Sequence, residues 1–321
     1  MKLLTTVLGA IPVCVVAVSP VLAETWPARP IRMVVPFSPG GSTDITARVL
    51  AEGLRPMLGQ TVLIDNRPGA AGNIAAELVA KATPDGYTFL VSTATLAANV
   101  SLYKSLRYDF VRDFTHVSQT FSSSNVLVVT PSLPVANLAE FIAYVKSGQN
   151  KVTYGTAGHG SSQHLSAALF NHMVNGSMVH VPFKGGAPAA VALLSGEIHS
   201  IFAPLIEALP HIRSGAFKAL AVCGKKRSPM VPNVPVISDL LPGYETSSWG
   251  GISAPAKTPT EIVNRLSMSL AKVLTLPASK AHFSEADKEP VGSTPAEFRK
   301  FIEGEIERFR LQVKISGAKV D

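Results

Sequence analysis

Residues 33–48, MVVPFSPGGSTDITAR, hold the joint between a strand and a helix that sets the fold class. An apolar run stops at Pro36, Pro39-Gly40-Gly41 turns the chain, and Ser42 or Thr43 opens a helix with Asp44 in its first turn. Gly40 and Gly41 can take positive φ and bare their N–H groups. The helix start adds unpaired donors and roughly half a positive charge, so the loop suits an anion. A plain βα connection that binds nothing is the competing reading of this stretch taken alone.

Working outward, Ile45, Val49, Leu50, Met57 and Leu58 share one helical face, and Gly59-Gln60 ends the helix. A strand at 62–64 runs into the loop 65–72, where Asn73 reads as the cap of a helix carrying Ile74, Leu78 and Val79. Pro84-Asp85-Gly86 makes the next turn, and a buried-type strand at 87–91 opens into Ser92, Thr93, Ala94 and Thr95. Strand, helix, strand, helix argues for a parallel α/β sheet. Ligands of such sheets bind outside the carboxyl ends of the strands, so residues 92–95 join the opening loop as candidates.

From Asp113 the texture changes. Residues 114–130 read as a long extended segment interrupted by a flexible patch at Ser122-Ser123-Ser124, followed by Pro131 and a helix at 137–146. A matching extended return occupies 244–255. Two crossings imply two domains, 24–122 with 248–321 and 123–247 between them. Inside the second domain, Val152-Thr-Tyr-Gly enters the loop Thr156-Ala157-Gly158-His159-Gly160-Ser161-Ser162. The helix after it carries Leu165, Leu169 and Met173, with Ser161 or Ser162 as its cap. Residues 178–183 run into Lys184-Gly185-Gly186, where Pro188 suits a first helical turn, and a strand at 197–202 ends at Ala203-Pro204. Helices at 260–274 and 295–316 then cover the first domain.

The ends and the composition bound the compartment. Lys2, an apolar run over 3–18 and Val21-Leu22-Ala23 read as a secretory signal cleaved after Ala23; a membrane anchor is the competing reading. Removing it leaves Cys223 as the one cysteine, so no internal disulfide can close and no Cys-x-x-Cys zinc site is possible. The formal charge of +7 falls to about six without Lys2, a bias that raises the local concentration of anions or serves solubility alone. Nucleic acid is disfavoured, because Lys225-Lys226-Arg227 lacks interleaved aromatics. No phosphate-binding Walker loop or dinucleotide fingerprint occurs, and no cofactor is expected.

His159, Ser161 and His164 raise an enzyme reading. However, Gly160-Ser161-Ser162 is not the Gly-x-Ser-x-Gly elbow, and a Ser and His three apart on one helical turn are mainly neighbours. A metal site would need a third ligand, and no motif places His180 or His199. Helix cap and pocket wall are the expected roles; no metal and no catalysis are expected.

Two glycine-rich loops at helix starts, on two domains joined twice, would hold a carboxylate between them. The chain's motifs then become specific: Trp26-Pro-x-Arg-Pro-Ile-Arg, Val-Pro-Phe-x-Pro-Gly-Gly-Ser-Thr-Asp, Asn66-Arg-Pro-Gly-Ala-x-Gly, Pro84-Asp-Gly-Tyr-Thr, Tyr154-Gly-x-x-Gly-x-Gly-Ser-x-x-His-Leu, Val181-Pro-Phe-Lys-Gly-Gly-Ala-Pro, Leu209-Pro-His-Ile-Arg-Ser-Gly and Glu289-Pro-Val-Gly-Ser-Thr-Pro-Ala-Glu-Phe. Across the whole mature chain the sequence resembles the Bug family, the solute receptors of tripartite tricarboxylate transporters. The resemblance implies a two-domain, type II-like Venus-flytrap fold with two crossing segments, a periplasmic location, no catalysis, and a small carboxylate as ligand.

Carried over from the family, Phe37, Ser38, Gly40, Gly41 and Asp44 contribute from the first domain, with Ser92, Thr93 and Ala94 nearby. Thr156, Ala157, Gly160, Ser161, His164, Lys184, Gly185, Ala203 and Pro204 contribute from the second. Asp44 either stabilises the first helical turn or selects a ligand bearing an amino or hydroxyl group. His199 stands where the family commonly has Asp, and Ala203-Pro204 sits where the distal pocket is built, so both bear on the ligand's far end. A two-subunit membrane permease is the implied partner of a monomeric receptor. A receptor feeding a sensor kinase and a secreted serine hydrolase using Ser161 are the alternatives.

Overall fold

The computed structural model describes residues 26–148, 151–183 and 185–317; the expected leader and Lys184 lie outside them. The described elements run β1 (Ile31–Val35), α1 (Ser42–Leu58), β2 (Val62–Asn66), α2 (Asn73–Ala80), β3 (Thr88–Thr93), α3 (Ala94–Leu102), β4 (Phe114–Ser123), β5 (Asn125–Val129) and α4 (Leu138–Ser147). They continue as β6 (Thr153–Thr156), α5 (Ser162–Met173), β7 (Val179–Pro182), α6 (Gly186–Leu194), β8 (Ser200–Pro204), α7 (Leu205–Arg213) and β9 (Lys218–Val222). The chain closes with β10 (Ser248–Pro255), α8 (Thr260–Thr275), α9 (Pro277–Glu285), β11 (Lys288–Pro290) and α10 (Pro295–Ser316). No described helix is long and apolar enough to cross a membrane.

These strands form two sheets. The first has the order β11-β4-β10-β3-β1-β2 and the second β7-β6-β8-β5-β9. Strands β1, β2 and β3 are mutually parallel, as are β6, β7 and β8. Each sheet is covered on both faces, which is why its central strands read as unbroken apolar runs. Met33 and Val35 enter one core with Leu50, Leu266 and Phe283, while Val34 between them enters the other with Ala97, Trp249 and Phe298. Leu127 and Val129 likewise face α4 and α5, and Val126 and Val128 face α6 and α7. Each such fully buried aliphatic or aromatic side chain contributes about 1.5–3 kcal/mol.

The helical faces differ from the sequence expectation in an instructive way. Helix α1 buries Ala47, Leu50, Ala51, Leu54 and Leu58, whereas Ile45 is exposed. Helix α2 buries Ala75, Ala76 and Val79, and Ile74 is exposed. Small residues let these helices lie close to their neighbours, as at Gly53, where a Cβ would come within 2.5 Å of the Val273 side chain. Asn73 is not the cap of α2. Gly72, at φ 89°, takes that place, and the Asn73 carboxamide oxygen instead accepts from Asn99 Nδ2 (2.8 Å) and Tyr108 Oη (2.6 Å).

Ser124 alone separates β4 of the first sheet from β5 of the second, and the return runs between β9 and β10. The expected flexible patch is ordered strand: Ser122 and Ser123 pair with Trp249 and Ser248 on one side and with Glu289 and Lys288 on the other. Gly224 lies so close to Ser124 that any Cβ there would overlap its hydroxyl.

Candidate functional site

Because the two sets of strands are parallel within each sheet, their carboxyl ends gather the loops. The edge of the first sheet carries the β1–α1 loop and the β3–α3 junction; the edge of the second carries the loops from β6, β7 and β8 into α5, α6 and α7. Every segment expected at the site lies on one of these two edges, apart from Lys184, which is outside the described residues.

The first loop is pinned from below by Asp44. Its carboxylate, buried at 1 % residue exposure, accepts from the Gly40 N–H (2.9 Å), Asn66 Nδ2 (3.0 Å), and Arg48 Nε and Nη2 (3.0 and 3.1 Å). The Arg48 bonds above all, with help from Gly40 and Asn66, hold its pKa down at about 2. Both oxygens are used within the chain, which favours a structural role for Asp44 over ligand selection. Asn66 also donates to the Phe37 carbonyl (3.0 Å), so one amide ties both ends of the loop. Gly40 takes φ 81°, Gly41 precedes the first helical residue, and Ser38, Gly40 and Gly41 are exposed while Phe37 is half-buried. The loop thus presents main chain to solvent at a helix N-terminus.

At the β3 exit the three candidates separate. Ser92 is buried and bonded to Ser253 (2.7 Å), which bonds His116 (2.9 Å), so it serves the interior. Ala94 is in the core. Thr93, at the N-cap of α3 and 7 % exposed, has a hydroxyl without a hydrogen-bond partner among the described residues.

The second loop is built almost wholly from its own hydrogen bonds. Ser161 caps α5 by accepting from the His164 N–H (3.2 Å), and its hydroxyl donates to the Gly158 carbonyl (2.8 Å). The Gly160 N–H donates to His164 Nδ1 (3.1 Å), and the Gly158 N–H to Thr156 Oγ1 (3.2 Å). Gly158 and Gly160 sit at φ 117° and 72°, conformations that side-chain-bearing residues adopt only with strain. A Cβ at Gly160 would overlap Leu102 at the end of α3, so this loop already touches the other half of the molecule. Ser161 Oγ therefore spends its proton on Gly158, and His164 Nδ1 is taken by Gly160. No Ser–His nucleophile pair forms.

His180, from β7, supplies the third histidine that the sequence could not place. Nitrogen atoms of His159, His164 and His180 lie within 4.8 Å of one another. Yet the His164 and His180 rings are stacked, 4.0 Å between centroids and 9° between planes, so their in-plane lone pairs run parallel. A tetrahedral ion requires them to converge, and the His164 Nδ1 lone pair is already used. Burial, then the neighbouring histidines, lowers His164 to about 3, and burial followed by His159 lowers His180 to about 4, so both are neutral around pH 7. His180 Nε2 bonds Thr156 Oγ1 (2.7 Å). The three rings form a wall of the loop.

Comparison with known proteins shows the family. The profile described as Tripartite tricarboxylate transporter family receptor matches residues 46–317. The chain belongs to that receptor family. Protein BugT of Bordetella pertussis is 39 % identical over 305 residues, spanning 94 % of each chain. A Rhodopseudomonas structure titled R. palustris Rpa4515 with adipate is 39 % identical, with a TM-score of 0.82 over 92 % of this chain and 100 % of that one. MatC from Rhodopseudomonas palustris with bound malate is 32 % identical, with a TM-score of 0.78 over 90 % and 100 %. Both carry the fold expected of this receptor.

In this receptor Ala203 is buried among Val126, Ile201 and Leu205 and does not line the edge, although Pro204, half-buried, marks the start of α7. Gly185 caps α6 at φ 122°. His199 lies at the opposite end of β8. There its Nδ1 accepts from the Thr153 N–H (3.1 Å), a strand's length or about 15 Å from the loop edge. The expected influence of His199 on the ligand's far end is therefore corrected: it is a strand-start contact. Besides His180, sequence reading missed Gln163 in the first turn of α5 and Glu207 in that of α7. Two clefts elsewhere, of about 760 Å³ beside residues 103–113 and about 770 Å³ beside the crossing strands, are lined by neither glycine loop.

Proposed function

We propose that this receptor is a periplasmic solute-binding protein that captures a small carboxylate between two domains, 24–122 with 248–321 and 123–247. The observation that carries the reading is the pair of glycine loops, each at a helix N-terminus and each fixed by hydrogen bonds of its own. The N–H groups of Gly40, Gly158, Gly160 and Ser161 donate within the chain, so what the loops offer an anion is the positive end of each helix that they set in place. Relatives of this fold are described with adipate and malate, both carboxylates. On this reading Phe37, Ser38, Gly40 and Gly41 with Thr93 form one jaw, and Thr156, Ala157, Gly160, Ser161, His164, Gly185 and Pro204 form the other.

The ligand draws the jaws together because its carboxylate gains the second set of donors only on closure. Charge-assisted bonds of about 1.5–3 kcal/mol each make micromolar affinity reasonable from a few of them. The receptor then acts as a monomer that hands its ligand to a two-subunit membrane permease, without catalysis. A thermal-shift panel of mono-, di- and tricarboxylates tests the ligand class. At least one should raise the melting temperature in a concentration-dependent way, and a panel with no shift would overturn the reading.

A further inference from the structure

Three helices begin side by side along the ligand edge of the second sheet, and two of their first-turn side chains have no partner among the described residues. Gln163, in α5, is 4 % exposed, and its Oε1 makes no hydrogen bond with any described residue. A buried amide oxygen left without a donor has lost its hydration with nothing in return. Such groups therefore call for a partner that the described residues do not supply. Glu207, in α7, is an exposed residue that makes neither an ion pair nor a hydrogen bond among the described residues. Lost hydration alone raises its pKa, with no cation contributing.

Gly186 shows that the two side chains meet. A Cβ built on this first residue of α6 would lie 2.5 Å from Glu207 Oε2 and 3.1 Å from Gln163 Nε2. Both side chains thus stand against this glycine, at a place that no Cβ could share with them. Gln163 stands two residues along α5 from Ser161, next to the second jaw.

We propose that Gln163, Glu207 and Gly186 form a subsite that selects carboxylate ligands bearing a protonated amine at their far end. This rests on the carboxylate-receptor reading above. An ammonium group would give Glu207 its missing counter-charge and Gln163 Oε1 its missing donor. A second carboxylate at the same place would face Glu207 as a like charge, and a methyl end would leave both groups unsatisfied.

The test is calorimetric titration of the wild type and Glu207→Gln with three matched series of four to six carbons: ω-aminocarboxylates, α,ω-dicarboxylates and simple monocarboxylates. The wild type should bind the best aminocarboxylate at least tenfold more tightly than the diacid of equal length, and Glu207→Gln should bring that ratio close to one. A wild type that prefers the diacid overturns the subsite. So does a variant that keeps the wild-type ratio but melts lower, since Glu207 would then serve only the helix start. If none of the three series binds, the carboxylate reading fails and the subsite with it; if carboxylates bind without the selectivity, the subsite alone fails.

Discussion

Asp44→Asn removes the charge that tethers the first glycine loop while keeping the side chain's shape. The carboxylate accepts from Gly40, Asn66 and twice from Arg48, at 2.9–3.1 Å. An asparagine offers one oxygen, so at least one of these donors meets an amino group instead. The depression of the Asp44 pKa from 3.8 to about 2 corresponds to at most about 2.4 kcal/mol, at about 1.36 kcal/mol per unit. The Arg48 side chain is 53 % exposed, so water screens the ion pair and the discounted figure is about 1–2 kcal/mol. The sign follows from the direction of the shift. A carboxyl whose folded pKa is depressed contributes in full above the unfolded value and loses that contribution as pH falls toward the folded one. With these two values the contribution is complete by about pH 5, about halved near pH 3 and mostly gone at about pH 2.

Urea unfolding of the wild type and Asp44→Asn at these pH values is the assay. The wild type should be more stable by about 1–2 kcal/mol at neutral pH, with the gap shrinking to about half near pH 3. Ligand affinity should fall in parallel, because Gly40 loses the bond that holds its N–H in place. Equal unfolding midpoints at neutral pH, or a gap that acid leaves untouched, would refute Asp44 as the tether of the loop.

Gly160→Val should weaken carboxylate binding at least tenfold while the fold persists, because φ 72° is strained for valine and its Cβ overlaps Leu102; unchanged affinity by calorimetry would remove this loop from the site. Ser161→Ala should lower stability by about 1 kcal/mol through loss of the α5 cap, and a serine-directed fluorophosphonate should label neither protein; covalent labelling of Ser161 would contradict the hydrogen-bond assignment. His116, His164 and His180 sit at about 4, 3 and 4, below their ordinary 6.5, so the unfolded chain takes up more protons and stability should drop between pH 7 and 5.5. Glu207 and Asp287, both raised by burial, act with the opposite sign, so the diagnostic comparison is His116→Gln, which should flatten the drop; an unaltered slope in urea midpoints would refute the buried neutral histidine.

Much of the fold was legible because its signals are local. The strand exits at Pro36 and Gly155, the glycine turns and the Ser161 cap are read from adjacent residues, and the structure bears them out. The helical faces were less legible. Large aliphatics such as Ile45 and Ile74 dominate a hydrophobic pattern, while Ala47, Ala51, Ala75 and Ala76, which permit close helix contacts, carry little weight in it. Asn73 shows a different limit. A cap-forming residue before an apolar run has the right local chemistry, but Asn99 and Tyr108, 26 and 35 residues away, compete for its oxygen and win. The serines at 122–124 have a flexible composition, yet pairing on both sides of β4 makes them strand.

The candidate site divides along the same line. The half proposed to grip a carboxylate is made of main chain, so it announces itself through glycines and helix starts and says nothing about the rest of the ligand. The groups that can read the rest come one at a time from the first turns of separate helices, Gln163 from α5 and Glu207 from α7, with His180 from a strand. Forty-four residues part Gln163 from Glu207, so no spacing motif joins them, and only the parallel order of β6 and β8 sets their helices on one edge. A glycine at 186, which looks in sequence like part of a flexible loop, is what leaves room for both. On the subsite proposed above, selectivity is a tertiary property laid over a local one. Substitutions at Gln163, Gly186 and Glu207 should change which carboxylate binds, whereas those at Gly40, Gly160 and Asp44 should change whether any carboxylate binds.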